Sequence, residues 1–200
     1  MSISSMLFLP ASAEQVIQNS LITSTLSDIQ FIEAVTGNTT EYLAGQRFLN
    51  LLTFLGCSPD INLVPDNNSG NNSDSDSNHC LIRILEISTT PRCIGFTQNA
   101  SPRCPHCKKR IANRPSGTWQ QASNICICDK CRAQTPYAHL NWRHECGFGC
   151  CGFEITHIYP HEAVPTDQLL DALESATGTP WQYSYAQTNG QTNGQTNSRD

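Results

Sequence analysis

"SPRCPHCKKR", residues 101–110, is answered by "NICICDKCRA", residues 124–133, and the layout of the chain turns on what these cysteines do. Cys104 and Cys107 have two residues between them, Cys128 and Cys131 repeat that spacing, and twenty residues separate the two pairs. A tight turn carrying C-x-x-C sets two sulfurs on one side, and two such turns facing each other complete a tetrahedron around one ion. Four thiolates with one Zn²⁺ carry a net charge of about −2, which Lys108, Lys109, Arg110, Lys130 and Arg132 are placed to offset. Cys126 competes with Cys128 as a ligand, and Cys128 is preferred because it preserves the two-residue turn. A shell closed by four sulfurs leaves no position for substrate or water, so one structural Zn²⁺ is expected and no catalytic residue is assigned to the site.

Residues 102–145 resemble the zinc-ribbon, or rubredoxin-like, class. The resemblance departs at one point: such turns often place Gly after the second cysteine, where Lys108 and Arg132 stand here. A side chain at that position must accept a conformation that Gly takes more easily. The rival reading is redox, since "CPHC" is similar to the active-site tetrapeptide of periplasmic thiol oxidases of the thioredoxin class, which would imply a thiol-disulfide oxidoreductase. Such a site needs a long amphipathic helix after it, whereas "KKRIANRPSG" reaches a Pro and a Gly within ten residues.

The chain has 200 residues, 38% apolar and 14% charged, enough for one core with a small appended module. No run of about 18 apolar residues occurs, so no membrane partner is expected. The start, "MSISSMLFLPASAEQ", has no basic residue before a short apolar run, and a secretory leader is not expected. Eleven cysteines, an odd number, suit thiolate chemistry in a reducing cytoplasm better than a disulfide framework.

Capping patterns at Ser12 with Gln15 and Ser27 with Gln30 predict helices over 13–25 and 28–36. "EYLAGQRFLNLLTFLG" predicts a third, with Phe48, Leu51, Leu52 and Leu55 as its apolar stripe. "CLIRILEIS" and "RCIGFT" read as neighbouring strands, and "GFEITHIY" as a strand in which Phe153, Ile155, His157 and Tyr159 share a face. Thr166 caps a helix over 167–176 with Leu169, Leu170 and Leu173 inward, and "WQYSY" reads as a last strand. The expected fold is α+β: a small mixed sheet with N-terminal helices and one C-terminal helix, carrying an inserted zinc ribbon. The expected division is a helical part of the core (1–64), a flexible Asn/Ser/Asp loop (65–79), core strands (80–101), the ribbon (102–145), a strand-helix-strand return (146–186) and a disordered tail (187–200).

Other clusters carry less. Asp74, Asp76 and Asn78 alternate as calcium ligands do, but the Gly and the closing Glu of that loop are missing. His139, His144, Cys146, Cys150 and Cys151 are ligand types at no standard zinc spacing, which leaves a second metal site open. Cys57, Cys80 and Cys93 read as small buried apolar residues. His157, His161 and Glu162 gather around Pro160, which forbids the helix that a zinc-protease motif needs. No nucleotide-binding glycine pattern or nucleophile elbow occurs, so an enzyme is not the favoured reading.

Residues 102–145 hold eight basic residues, among them Arg114, against two acidic ones, a balance of +6, while the remainder stands at −11. With Trp119, Tyr137 and Trp142 interleaved, this segment could meet phosphates and stack bases. The favoured expectation is a zinc-binding protein acting as a protein-interaction or adaptor module. A nucleic-acid-binding ribbon, touching its partner through Lys108, Lys109, Arg110, Arg114, Trp119, Lys130 and Arg132, is the alternative, and the CPHC oxidoreductase is the second. "TFLGCSP" and "HEAVPTDQLLDAL" are similar to a group of small bacterial zinc-ribbon proteins, which implies a cytoplasmic bacterial protein and brings no activity with it.

Overall fold

The computed structural model describes residues 3–34, 40–56, 61–63, 79–98, 100–111 and 122–188. Strand β1 (Ile3–Pro10) is followed by helix α1 (Asn19–Asp28) and the short strands β2 (Ile32–Ala34) and β3 (Glu41–Ala44). A 3-10 turn at Phe48–Asn50 leads into β4 (Leu52–Phe54), after which come β5 (Ile82–Ile84) and β6 (Arg92–Phe96). The cysteine-rich segment supplies β7 (Ile125–Ile127), β8 (Gln134–Pro136) and a second 3-10 turn at Tyr137–His139. The chain returns through β9 (Cys146–Gly149), β10 (Phe153–Thr156), β11 (Ala163–Pro165), helix α2 (Asp167–Thr177) and β12 (Trp181–Thr188).

The fold is α+β, built on a six-stranded sheet of order β12-β1-β10-β5-β3-β2, with three two-stranded pairs, β11-β4, β6-β9 and β7-β8. The pairings are antiparallel, so the sheet is not the mixed one expected. A parallel neighbour needs a crossover that brings the chain back alongside, and α1 instead carries it from β1 to the far edge at β2.

The N-terminal helices differ most from expectation. Gln15 N–H donates to Ser12 O in a turn, but Gln18 remains extended and α1 begins only at Asn19. At Gln30, with φ 59°, the chain leaves the helix, so the second expected helix is β2 in its described part. The third is divided into β3, the 3-10 turn and β4. Its apolar spacing is used, since Phe48, Leu51 and Leu52 are buried, but Leu55 is 62% exposed. Gly45 explains the break: its N–H donates to Phe31 O, and a Cβ there would sit 2.4 Å from Gln30 O.

β1 lies in the middle of the structure and is buried along almost its whole length. Met6 and Phe8 join the main core with Ile22 and Leu26 of α1 and Leu169 and Leu173 of α2, and Phe8 stacks on Phe153 with ring centres 4.6 Å apart. On the other face, Leu7 and Leu9 meet the glycines of β6 and β9: a Cβ on Gly95 would lie 2.4 Å from Ala186 Cβ, and one on Gly147 2.8 Å from Leu9 Cδ1. Glycine lets two backbones approach in this way. The order is therefore helices, six-stranded sheet, β6-β9 pair. Cys146 and Phe148 alternate with Gly147 and Gly149 along β9, and they enter a second apolar cluster with Cys104, Cys126, Cys128, Tyr137 and Trp142.

The C-terminal expectations match. Thr166 Oγ1 accepts from Leu169 N–H, Leu169 and Leu173 are buried, and Gly178 closes α2 in the left-handed conformation at φ 70°. β12 follows and pairs with β1 along its whole length, so Gln187 and Thr188, expected in the tail, belong to the sheet. "CLIRILEIS" and "RCIGFT" do supply strands, yet β5 pairs with β10 and β3 while β6 pairs with β9. β10 ends at Thr156, because His157 turns the chain at φ 60°; His157 therefore does not share the strand face of Phe153 and Ile155. No helix among the described residues is long and apolar enough to cross a membrane. Asp74, Asp76, Asn78, Cys57 and residues 189–200 lie outside the described residues.

Candidate metal centre

The first C-x-x-C turn is a miniature hairpin. Lys108 N–H donates to Cys104 O at 2.9 Å and Cys104 N–H to Lys109 O at 2.9 Å. The second repeats it: Arg132 N–H donates to Cys128 O at 2.8 Å and Cys128 N–H to Ala133 O at 3.0 Å. Lys108 and Arg132 hold φ values of 61° and 60°, the left-handed conformation that Gly takes at no cost. The sequence departure is thus absorbed by two strained residues, one in each turn. β7 and β8 lead into and out of the second turn, while Arg103 bridges to both Arg110 and Asn141 to anchor the first.

These two turns face each other. Cys104 Sγ lies 3.7 Å from Cys131 Sγ, Cys107 Sγ lies 3.5 Å from Cys128 Sγ, and all four sulfurs fall within 4.8 Å of one another. A Zn–S bond of ~2.3 Å implies a tetrahedral S···S edge of ~3.8 Å. A disulfide would need ~2.05 Å. The sulfurs stand at ligand-sharing distance and not at bonding distance, and both turns contribute to the contacts, as a shared ion requires. Among the described residues this is the one group of three or more Cys, His, Asp or Glu side chains suited to a metal.

The backbone favours thiolate in part of the set. The Cys107 N–H, with that of His106, holds the Cys104 thiol below its ordinary value against the opposing effect of burial. The N–H groups of Cys131 and Lys130 bring Cys128 down to about 6. At Cys131 the Ala133 N–H pulls the same way, but desolvation and the sulfurs of Cys107, Cys104 and Cys128 outweigh it and push the thiol up to about 12. Thiolates at this spacing repel one another, so without a cation the set does not ionise as a whole.

Cys128, not Cys126, completes the set. Cys126 faces inward from β7 at 7% exposure, and burial raises its thiol. The second cluster does not assemble: His139 Nε2 meets Glu14 Oε1 at 3.2 Å, the His144 ring stacks on Tyr183, and Cys151 Sγ accepts from Ile17 N–H. Cys146 Sγ instead lies 3.6 Å from Cys93 Sγ, a pairing that sequence spacing does not reveal because it depends on which strands become neighbours. The sulfur-directed N–H donors were equally hidden, although the doubled C-x-x-C was the signal for the turns that supply them. His157 and His161 sit in turns at φ 60° and 65°, with no helix between them.

Lys108, Lys109, Arg110, Lys130 and Arg132 are exposed around the two turns. Tyr137 and Trp142 are only 5% exposed, with Trp142 Nε1 donating to Tyr137 O, so the rings read as base-stacking candidates are core residues. Arg114 and Trp119 lie outside the described residues. After Cys107 no helix begins through Ile111. No protein-family model matches the chain, and no curated protein or solved structure is a significant match to it.

Proposed function

We propose that Cys104, Cys107, Cys128 and Cys131 hold one structural Zn²⁺ and that the ribbon they organise is a protein-interaction module of a cytoplasmic protein. The supporting observation is the pair of facing turns whose sulfurs approach to 3.5 and 3.7 Å. Thiolate-only donor sets select soft or borderline cations, and a closed four-sulfur shell serves structure, not turnover. An interaction role is favoured over nucleic-acid binding by the surface: Ile125 and Ile127 of β7 are each 52% exposed, while Tyr137 and Trp142 are withdrawn into the core. Two isoleucines beside exposed cations suit a protein surface with an apolar centre and an acidic rim.

Elemental analysis of the protein as isolated should give one zinc per chain, and a thiol count after chelation should rise by four. A tagged full-length chain should retain a stoichiometric partner that an Ile125→Asp, Ile127→Asp double variant loses with its zinc content intact. Salt-sensitive binding to single-stranded RNA, with no such partner, would replace the interaction reading by the nucleic-acid one.

A further inference from the structure

We propose that Cys93 and Cys146 form a second, redox-active thiol site, which a peroxide closes into a disulfide across the neck of the metal-binding segment. The two sulfurs are 3.6 Å apart, in van der Waals contact, on the paired strands β6 and β9. The ladder between these strands shifts register between Cys93 and Gly95. Cys93 is opposite Phe148, two residues from Cys146 on β9, so the two thiols are diagonal neighbours on one face beside this bulge. Closing to a disulfide length of ~2.05 Å takes a sulfur displacement of about 1.6 Å. No third metal-ligating side chain joins them among the described residues, so the pair is set for bond formation and not for an ion.

The position gives the bond a consequence. Cys93 and Cys146 are 53 residues apart, and the four metal ligands all lie between them. β6 and β9 are also the strands whose glycines press on β1 and β12, so they form the seam where the metal-binding segment leaves and rejoins the main sheet. A covalent link there would close residues 93–146 into a loop, holding the two ends of the segment together whether or not it holds its ion.

The two thiols are unequal. Cys93 is half-buried, whereas Cys146 is 6% exposed, and burial, with Cys93 beside it, raises its thiol well above the ordinary value. Cys93 is therefore the sulfur that meets the oxidant. Its thiolate attacks one peroxide oxygen, the S–O bond forms as O–O breaks, and the leaving hydroxide takes a proton to become water. The Cys146 sulfur then attacks the sulfenic sulfur of Cys93; S–S forms, S–O breaks, and a second water carries off the hydroxyl with the Cys146 proton. Two thiols and one peroxide yield one disulfide and two waters, and a dithiol reductant reverses the change.

The test is to treat reduced, metal-loaded, full-length protein with one equivalent of hydrogen peroxide, then map its peptides without reduction and measure its metal. The expected result is a peptide linking Cys93 to Cys146, an intact mass lower by two hydrogens, unchanged metal content, and reversal by dithiothreitol. The oxidised protein should also melt at a higher temperature than the reduced one. Cys93→Ser, at the less buried of the two positions, should abolish the link while keeping its metal; should that variant fail to fold, the wild-type peptide map decides alone. Links confined to Cys104, Cys107, Cys128 and Cys131 with release of metal, or Cys93 carried to sulfinic acid without a link, would overturn the proposal.

Discussion

Cys126 and Cys128 differ by two positions and by everything that counts for a ligand. Both are buried, but only the Cys128 sulfur reaches the other three, because β7 ends at Ile127 and the chain then turns. Cys128→Ser should therefore abolish stoichiometric metal, as measured by elemental analysis. Cys126→Ser should keep one ion and lose about 1–3 kcal/mol of stability to denaturant, the cost of a hydroxyl in an apolar site without an assured partner. At Gly147 the decision is steric. A Cβ there would stand 2.5 Å from Ser184 Oγ and 2.8 Å from Leu9 Cδ1, so Gly147→Ala should push the β6-β9 pair off the main sheet and cost about 1–3 kcal/mol in chemical denaturation. The four-cysteine cluster was legible from spacing because a C-x-x-C turn is local. Gly147 was not, because what makes it necessary is a strand 37 residues away in sequence, at Ser184.

Among the elements, α2 was the most legible. Its cap, buried leucines and terminal Gly178 are all local signals, and the tertiary fold agrees with each. Thr166 does double service, its hydroxyl accepting from Leu169 N–H at 3.4 Å and donating to Leu51 O at 3.1 Å. Thr166→Ala should destabilise the protein by about 1–2 kcal/mol, the upper range for a lost N-cap, read as a lower denaturation midpoint with unchanged slope. Segment 28–36 misled because Ser27 and Gln30, read as a cap, fall where α1 ends and Gln30 turns the chain at φ 59°, and 41–56 because helical spacing of apolar residues was satisfied differently. Phe48, Leu51 and Leu52 reach the same core from a 3-10 turn and a short strand, a case of tertiary packing overriding local preference. β1 was missed for the opposite reason. Covered on one face by the helices and on the other by β6 and β9, it shows a continuous apolar run in place of alternation, and such a run carries no period.

At the scale of the whole molecule, two apolar clusters share one chain, and Cys104 and Cys128, with Cys107 packed beside them, belong to only one of them. Chelation should therefore cost backbone amide protection around Cys104–Ile111 and Ile125–Leu140, read by hydrogen exchange, while β1, β10 and β12 keep theirs. Binding should also be pH-dependent in a definite direction. With Cys128 at about 6 and Cys131 at about 12 in the metal-free protein, at pH 7 the first is already a thiolate and the second still carries its proton. The ion must displace that proton, so metal affinity should rise with pH through neutrality, and calorimetric heats should vary with the ionisation enthalpy of the buffer.

From the sequence alone came the four clustered cysteines, their turns, the α+β class, helix α2 and the last strand, since each is written in spacings of a few residues or in a capping pattern that acts within one turn. Tertiary structure decided that β1 is central, that β6 and β9 lie flush against it, that the expected N-terminal helices are largely strand, and that Cys93 meets Cys146. Each of these depends on contacts between segments far apart in the chain, where the deciding quantities are which faces are covered and how closely two backbones can approach.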